Sequence, residues 1–379
     1  MVQAGAVSRL GEILDREGIT HPRSVVSNTT VGPFWGDPAA RSLDAPLIEL
    51  ADGETHKRWS TVETLLENWL DGGLHRGDSV AAVGGGVLTD TVGFAAAVFL
   101  RGVDWIAVPT TLLAMVDASV GGKTGINLDR GKNLAGAFWP PRLVVIDVET
   151  LSTLPEREIR AGMAEVVKTA WIGDHELLQL IQPESPAGHS SHGAMKWEEI
   201  VMRCLAVKAR VVMEDEREAG ARKALNLGHT LGHALEAATV YRRFLHGEAV
   251  AWGLLAAARL AQRRGLLGAE GANELRSAVT YLGALPPIAG IGPEAVRAYL
   301  ERDKKRDAEG IGWVLPTDDG VVIDQRVPTE EALEVFEELQ RGGNSEFRNS
   351  EFGIIGAPID RVAQGVLPAL GRAHRTCRP

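Results

Sequence analysis

The chain of 379 residues exceeds the roughly 250–300 residues that one hydrophobic core usually serves, so we expect two domains. With 45% hydrophobic residues, 24% charged residues and 43 glycines, the composition is typical of a globular α/β protein with many tight turns. A formal net charge of -10 argues against a nucleic-acid partner but allows a local basic cluster for a small anion, and two cysteines exclude a disulfide framework.

The amino-terminal stretch "MVQAGAVSRLGEILDREG" is typical of an amphipathic helix. It carries charges throughout and lacks the apolar core of a secretory signal peptide. The most apolar stretch of the chain is "TVGFAAAVFLRGVDWIAVPTTLLAMV", which Arg101, Asp104 and Pro109 interrupt. It is therefore too short for a membrane span, which needs about 20 apolar residues. We expect a cytoplasmic protein without a membrane segment.

Residues 1–157 alternate short β-branched runs with helical patterns. Strands are predicted at "SVVSNTTV", "SVAAVGGGV", "WIAVPTT" and "RLVVIDV", and helices at "VETLLENWL" and "TDTVGFAAAVFL". Such alternation predicts a parallel sheet covered by helices on both faces. We expect an N-terminal Rossmann-like domain of the kind that binds cofactors.

The run "VGGGVLTDTVGF" places Gly84, Gly85 and Gly86 between a predicted strand and a predicted helix. Bare backbone at such a turn can approach a pyrophosphate, and the N–H groups of the helix start point toward it. A turn without a ligand is an equally good interpretation. The strict G-x-G-x-x-G pattern is absent, so the ordinary Rossmann fingerprint cannot be claimed.

The stretch "PTTLLAMVDASVGGKTGINLDRGKNLAGAFWPP" contains Asp117, Lys123, Lys132 and Asn133. Its glycines and weak periodicity suit neither a helix nor a strand, so we predict a shaped loop. Loops on a rigid scaffold often carry functional residues, whereas the alternative is a solvated surface loop.

From residue 158 to residue 343 the patterns are mainly helical, and we place the domain boundary near Arg157. Residues 344–379 begin with a doubled "NSEF" and differ in composition from the rest. We treat them as a C-terminal extension of unknown order and assign them no function.

The segment "ALNLGHTLGHALEAATVYRRFLHGEAV" holds three of the ten histidines. On a helix, His229 and His233 face the same side, as metal-binding or acid–base pairs must, and His246 follows shortly after. A single buried histidine is usually a hydrogen-bonded core residue, whereas three in one segment favour a site. Thr230 stands where the H-E-x-x-H motif has its glutamate, which disfavours a metalloprotease.

A further metal ligand is available in the helix "AGMAEVVKTAW", which carries Glu165 on an apolar background with Lys168 one turn later. Burying an unpaired carboxylate is costly, and metal coordination removes that cost. The alternative is a Glu165–Lys168 pair on the surface. Positive charges at Lys208, Arg222, Lys304 and Lys305 would bind a multiply anionic substrate if they converge on one cleft.

Seven blocks in this chain closely resemble 3-dehydroquinate synthase, a family of the sugar phosphate cyclase superfamily. They are "GGGVLTDTVGFAAAVFLRG", "VPTTLLAMVDASVGGKTGIN", "GKNLAGAFWPP", "TLPEREIRAGMAEVVK", "LNLGHTLGHALE", "HGEAVAWG" and "RDKK", in this order. The resemblance covers roughly Arg9 to Leu339. It implies an NAD-binding α/β domain, an all-α metal-binding domain, an active site in the cleft between them, and a homodimer.

The resemblance also implies roles for individual residues. The metal ligands are Glu165, His229 and His246, and His233 contacts substrate and transfers a proton. The other implied substrate contacts are Asp117, Lys123, Asn133, Lys168, Lys208, Arg222, Asn226 and one lysine of the pair Lys304 and Lys305, taken as Lys305, with Arg101 reaching the phosphate across the dimer. NAD is implied to lie along Asn28, Glu54, Lys57, Gly85, Gly86, Val87, Asp90, Thr110, Thr111, Leu113, Lys132 and Thr153.

One position departs from the family pattern. Asn28 stands where the family commonly has an acidic residue for the adenosine ribose. Asparagine still forms hydrogen bonds but lacks the charged acceptor, so we expect somewhat weaker cofactor binding.

The implied reaction converts 3-deoxy-D-arabino-heptulosonate 7-phosphate to 3-dehydroquinate and phosphate, a carbon–oxygen lyase step of the shikimate pathway. Zinc or cobalt would polarise the carbon being oxidised, and NAD would take a hydride and return it in each turnover. The small anionic sugar phosphate is the expected partner.

Three alternatives remain. Another sugar phosphate cyclase is one, although Asn226 and His233 favour the dehydroquinate type over the valiolone and inosose types; the aminated-substrate type is harder to exclude. A metal-dependent polyol dehydrogenase would make net NADH and would not need the Lys and Arg residues. A metal-stabilised binding protein would keep the three ligands and tolerate loss of Lys123 or Lys168.

Overall fold

The computed structural model describes residues 1–182, 195–215, 220–301, 306–307 and 310–346. The strands are β1 (Ser24–Asn28), β2 (Leu47–Leu50), β3 (Ser79–Gly84), β4 (Asp104–Pro109), β5 (Lys123–Leu128), β6 (Gly131–Phe138), β7 (Leu143–Val144), β8 (Arg306–Asp307), β9 (Gly310–Thr317) and β10 (Gly320–Val327). The α-helices are α1 (Leu10–Arg16), α2 (Asp37–Leu43), α3 (Trp59–Asp71), α4 (Gly86–Val98), α5 (Glu156–Gly173), α6 (Glu176–Leu180), α7 (Trp197–Glu214), α8 (His229–Ala238), α9 (His246–Arg263), α10 (Ala269–Thr280), α11 (Pro293–Leu300) and α12 (Thr329–Glu346).

The N-terminal part is built on a parallel sheet of five strands in the order β2-β1-β3-β4-β7. All five residues of β1 and all six of β3 are buried, as expected for central strands covered on both faces. One core, with Leu65 and Trp69 of α3, covers one face, and a second, with Leu10 and Leu14 of α1, covers the other. The predicted Rossmann-like α/β architecture is confirmed.

The strand order decides where a ligand can bind. The chain leaves β1 for β2 on one side and reaches β3 on the other, so the connections diverge between β1 and β3. In open parallel sheets, ligands bind in the crevice at the carboxyl ends of the strands next to such a switch point. Asn28 ends β1 and Gly84 ends β3, which places both at this edge.

The prediction of a shaped loop between β4 and β7 is wrong in part. A short π-helix at Ala114–Ala118 is followed by the antiparallel hairpin of β5 and β6. Gly125 pairs with Gly136, and a Cβ on Gly136 would lie 2.2 Å from Thr124 O, so the strands pair more closely than side chains allow. Glycine therefore marks close strand pairing here.

The second half is mainly helical, as predicted, with α9 buried among other elements of the large C-terminal core. The expectation of an all-α region needs one addition. Strands β8, β9 and β10 form an antiparallel sheet that the sequence analysis did not predict, and a two-residue turn joins β9 to β10. The last helix reaches Glu346, beyond the expected start of the extension at 344. Residues 347–379 lie outside the described residues.

Helix α5 begins at Glu156, beside the expected domain boundary at 157, although the division itself stays a prediction. Within the described ranges, none of the helices combines the length and the apolar character that crossing a bilayer would require.

Candidate active site

Three helices bring their side chains together at Glu165, which lies in the middle of α5 and is fully buried. His229 is the first residue of α8 and His246 is the first residue of α9. Glu165 Oε1 lies 3.9 Å from His229 Nε2 and 3.6 Å from His246 Nε2. The helix starts therefore place two imidazoles against one buried carboxylate.

Glycine makes this convergence possible. A Cβ on Gly247 would lie 1.8 Å from Ala161 O, so the start of α9 touches the backbone of α5 one turn before Glu165. A Cβ on Gly253 would lie 1.7 Å from Gly228 O, so α9 also touches the backbone just before His229. These contacts set how closely the three helices approach.

The start of α9 is fixed by Glu248. Its carboxylate accepts a hydrogen bond of 2.7 Å from the Leu245 backbone N–H, which caps the helix. Arg157, near the start of α5, donates to both carboxylate oxygens at 2.6 and 2.8 Å. The capping contact thus also ties α9 to the helix that carries Glu165.

Both imidazoles present Nε2 to the carboxylate. His229 Nδ1 lies 3.1 Å from Leu227 O, and His246 Nδ1 lies 3.1 Å from Glu236 Oε2. Since these oxygens can only accept, the neutral rings carry their protons on Nδ1 and keep lone pairs on Nε2. Within the described part of the chain, Glu165 Oε1 has no hydrogen-bond partner. Two lone pairs and a buried carboxylate oxygen facing one another suit a divalent cation.

The distances agree with this interpretation. The ligands of a tetrahedral zinc ion, each about 2.0–2.2 Å from the metal, lie about 3.3–3.6 Å from one another. The observed 3.6 and 3.9 Å are close to these values. Ring nitrogens of His229, His233 and His246 all lie within 4.8 Å of one another, so His233 is a further donor beside the group.

Two buried lysines and Asp117 adjoin the carboxylate. Lys168 forms an ion pair with Glu165 Oε2, and its Nζ lies 3.7 Å from Asp117 Oδ1. Lys208 Nζ lies 2.6 Å from the same Asp117 oxygen. The Glu165–Lys168 pair is thus buried and not on the surface, with 0% and 1% of the side chains exposed. Lys208 of α7 therefore lies in the same cluster, which meets for this residue the condition of convergence set out in the sequence analysis.

The charges shift the ionisation of this cluster. Burial alone would raise the pKa of Asp117, but Lys208 and Lys168 hold it well below its ordinary value. Burial acts to lower the pKa of Lys168, and the Glu165 and Asp117 carboxylates more than compensate, so the pKa is raised. Burial, together with the nearby charge of Lys168, lowers the pKa of His229, which keeps that imidazole neutral as a metal ligand must be.

Arg222 is buried and donates 3.2 Å from Nη2 to Gly121 O, two residues before Lys123. Lys123 is exposed at the start of β5, and Asn226 ends the short helix three residues before His229. Lys305 lies outside the described residues.

The second group of predicted residues lies at the carboxyl edge of the parallel sheet. Gly85 precedes α4, and a Cβ on it would lie 3.0 Å from Thr111, so its backbone packs against the turn after β4. The Thr110 N–H donates 3.0 Å to Gly84 O, and the Thr111 hydroxyl accepts a bond of 3.2 Å from the Ala114 N–H. The predicted residues that share this edge are Gly85, Gly86, Val87, Thr110, Thr111 and Leu113.

The hairpin closes over this edge. Lys57 Nζ lies 2.6 Å from both Asp90 Oδ2 and Asn133 Oδ1, which joins α4 to β6. Asn127 donates 2.6 Å to Glu54 Oε1 and accepts 2.9 Å from the Asn133 N–H. Asn133 has a left-handed backbone with φ 53°, which asparagine tolerates. Of these five residues, the resemblance implied roles for Glu54, Lys57, Asp90 and Asn133, and Asn127 was not predicted.

Asn28 has a carboxylate neighbour. Its side-chain oxygen accepts bonds of 3.0 and 2.8 Å from the Thr30 and Val31 N–H groups. Its amide donates 3.0 Å to Asp52, an exposed residue just after β2. An acidic group thus stands beside Asn28 although β1 itself carries none, a placement that sequence reasoning missed.

Arg101 and Thr153 were also predicted to belong to the site. Arg101 is exposed beyond the end of α4, roughly 20 Å from the glycine turn at 1.5 Å per helical residue. Thr153 lies before α5, where its hydroxyl accepts a 2.7 Å bond from Trp35 Nε1. Arg101 therefore lies far from the glycine turn of its own chain.

Sequence reasoning also missed Glu236, which is buried and contacts His246. It follows His229 by seven residues and so lies on the same face of α8. A carboxylate on this largely buried helix was the same signal that pointed to Glu165.

Residues 47–161 match the family "3-dehydroquinate synthase N-terminal", and residues 162–306 match "3-dehydroquinate synthase C-terminal". A curated 3-dehydroquinate synthase of Geobacter metallireducens is 48% identical over 318 residues, which cover 82% of this chain and 88% of that protein.

Solved structures of related cyclases are also similar. The 2-epi-5-epi-valiolone synthase of Streptomyces hygroscopicus, with NAD+ and Zn2+ bound, aligns with a TM-score of 0.79 at 27% identity, covering 90% of this chain and 96% of that one. A 2-deoxy-scyllo-inosose synthase, complexed with carbaglucose-6-phosphate, NAD+ and Co2+, aligns with a TM-score of 0.75 at 27% identity, covering 89% and 95%.

Proposed function

Because the chain belongs to the 3-dehydroquinate synthase family, we propose that it converts 3-deoxy-D-arabino-heptulosonate 7-phosphate to 3-dehydroquinate and phosphate. The observation that carries the proposal is the buried Glu165 carboxylate, which faces Nε2 of His229 and of His246 beside two buried lysines. This arrangement offers a cation site and an anion site in contact with each other. The substrate, a keto acid phosphate, needs both.

The cofactors are proposed to be NAD and a zinc or cobalt ion, since related cyclases bind NAD+ with one of these metals. Bound together, they supply a polarised carbon–oxygen bond and a reversible hydride acceptor. Glu165, His229 and His246 are the proposed ligands, because their donor atoms face one another and the carboxylate oxygen otherwise lacks a partner among the described residues.

The basic residues bind the anionic groups of the substrate. Lys168 and Lys208 both place their ammonium groups near Asp117 Oδ1, and Arg222 adds a guanidinium next to the turn before Lys123. A fixed cluster of cations stabilises a leaving phosphate without reorganising solvent, since the charges are already in place. Asp117 stays ionised and keeps the lysines positioned.

His233 is proposed to move the proton. Its ring lies 5.2 Å from that of His229 and 5.8 Å from that of His246, so a group bound at the cation site is within its reach. A histidine that is not itself a ligand can give and take a proton near neutral pH. Asn133 and Asn226 are the proposed hydrogen-bonding contacts for substrate hydroxyls.

NAD is proposed to lie along the carboxyl edge of the sheet. The glycine turn before α4 leaves room for the pyrophosphate at the positive end of the helix. Glu54, Lys57, Asp90 and Lys132 line the hairpin side of the same edge.

A homodimer is part of the proposal. Arg101 is exposed at the far end of α4 from the glycine turn, where its guanidinium is accessible to a second copy. We propose that each copy lends its Arg101 to the phosphate site of the other.

The test is release of inorganic phosphate from the heptulosonate phosphate by the purified full-length protein with NAD+ and zinc. Phosphate should appear without net NADH, because the hydride returns in each cycle. A polyol dehydrogenase would instead produce NADH from glycerol and ignore the sugar phosphate. Net NADH from glycerol without phosphate release would refute the proposal.

A further inference from the structure

A buried carboxylate connects the proposed metal site with the proposed NAD site. Glu236 lies on α8 and is 2% exposed. Its Oε2 lies 3.1 Å from His246 Nδ1, and its Oε1 lies 3.1 Å from Lys132 Nζ. One carboxylate thus contacts a proposed metal ligand and a proposed NAD-binding lysine.

The contact with His246 orients that ring. A carboxylate accepts the Nδ1 proton, which leaves the Nε2 lone pair directed at Glu165 Oε1, 3.6 Å away. Carboxylates behind a ligating histidine fix its tautomer and increase its basicity. His229 has the neutral Leu227 carbonyl in the same place, so His246 is the ligand with a charged support.

The contact with Lys132 reaches the cofactor edge. Lys132 belongs to β6, next to Asn133, which accepts a bond from Lys57. Its Nζ also lies 4.0 Å from Glu54 Oε1 and 4.7 Å from the centre of the Tyr241 ring. Lys132 is therefore held by Glu54, by Glu236 of α8 and by Tyr241 of the α8–α9 loop.

The loop between α8 and α9, which places Tyr241 against Lys132, has a strained backbone. Val240 and Tyr241 have left-handed backbones with φ 52° and 54°, a region that branched and bulky side chains seldom occupy. The Tyr241 N–H donates 2.7 Å to Glu236 O, and this turn places the ring against Lys132. Such strain persists only where the surrounding contacts compensate for it.

We infer that Glu236 is a positioning residue through which NAD and the metal strengthen each other's binding, by way of Lys132 on one side and His246 on the other. The inference rests on the proposed function, because that function supplies the two sites. Whichever ligand binds first holds the Lys132–Glu236–His246 contacts in place, so the second ligand meets a prepared site.

The test measures metal affinity with and without saturating NAD+ in metal-stripped protein, by competition with a chromophoric zinc chelator and without substrate. In the wild type, NAD+ should tighten zinc binding by at least about fivefold, the lower end of usual coupling between sites. Glu236→Gln keeps the size of the side chain and removes its charge. It should weaken zinc binding by about 10–100-fold and reduce the NAD+ effect below about twofold.

Lys132→Met separates the two halves of the contact. It should leave zinc affinity without NAD+ within about threefold of wild type and lose the NAD+ effect, because His246 keeps its carboxylate. Glu331→Gln is the matched control, because Glu331 of α12 also forms an ion pair, with Arg264 at 2.6 Å, but contacts neither proposed site. It should change neither quantity. Circular dichroism of each variant confirms that it is folded.

Retention of the full NAD+ effect in Glu236→Gln and Lys132→Met would overturn the inference, and so would a wild type without any NAD+ effect. The outcome is separate from the proposed reaction because no turnover is measured. Coupled binding without phosphate release would keep the inference and reject the reaction, whereas phosphate release with uncoupled binding would do the reverse.

Discussion

Replacing Gly247 with alanine should separate Glu165 from His246, because no space for a methyl group exists between α9 and α5. A Cβ on Gly247 would lie 1.8 Å from Ala161 O, 2.5 Å from its C and 2.8 Å from its Cα. These are backbone atoms, which cannot turn aside as a flexible side chain can. The two helices therefore have to move apart.

The size of the movement follows from the shortest contact. Real Cβ contacts are essentially never shorter than 3.0 Å, so a shift of about 1.2 Å is the least that relieves the clash. Metal–ligand distances vary by only about 0.2 Å, so His246 and Glu165 could no longer bind one ion. We expect a loss of about 1–3 kcal/mol in the free energy of unfolding. Zinc affinity should fall by more than about 100-fold, since a ligand is lost and not only its support.

The assay combines urea unfolding of the metal-free protein with zinc competition and phosphate release. Gly342→Ala on α12 is the matched control, because a Cβ there meets no heavy atom of the described residues within 4 Å. The free energy of unfolding of that variant should be unchanged or higher by up to about 1 kcal/mol, because alanine has a higher helix propensity than glycine. Wild-type stability and zinc affinity in Gly247→Ala would refute the reasoning, since α9 would then tolerate a methyl group at the contact.

Removing the metal with a chelator should abolish phosphate release, and added zinc or cobalt should restore it; turnover that persists in chelator would contradict the metal assignment. Lys168→Met should abolish turnover and lower the unfolding free energy of the metal-free protein by about 3–5 kcal/mol, because Glu165 is left buried without a counter-charge. Zinc should offset part of that loss in urea unfolding, and an equal loss with and without zinc would argue against ligation by Glu165. Asn28→Asp should not tighten NAD+ binding in calorimetry, because the new carboxylate would face Asp52, whose Oδ1 lies 3.0 Å from the Asn28 amide nitrogen. Tighter binding would show that Asp52 does not take the place of the acidic residue that the family commonly has at position 28.

Several features of the site were predictable because they depend on local pattern. The spacing of His229 and His233 puts both rings on one face of α8, and their centroids lie 5.2 Å apart. The apolar neighbours of Glu165 predicted its burial, which the structure confirms with 0% exposure. The glycine turn follows β3 as the β-branched run before it indicated.

Other features were not predictable because glycine and carboxylate residues have several uses. The glycines of β5 and β6 resembled a loop, yet Gly125 and Gly136 serve close strand pairing. Asp52 carried no mark in the sequence that separates it from a solvated acid, and Glu236 shared the apolar-helix signal of Glu165 without any sign of its partner. Their partners, His246 and Asn28, lie on other elements.

The amino-acid order by itself determined the parallel α/β half, the helical half and the identity of the donor groups, because periodicity and residue chemistry act over a few positions of the chain. Only the tertiary structure decided which groups meet, since the meeting of α5, α8 and α9 depends on backbone contacts at Gly247 and Gly253 that distant segments create when they pack. The short distance between Glu165 and His246 is a property of that packing.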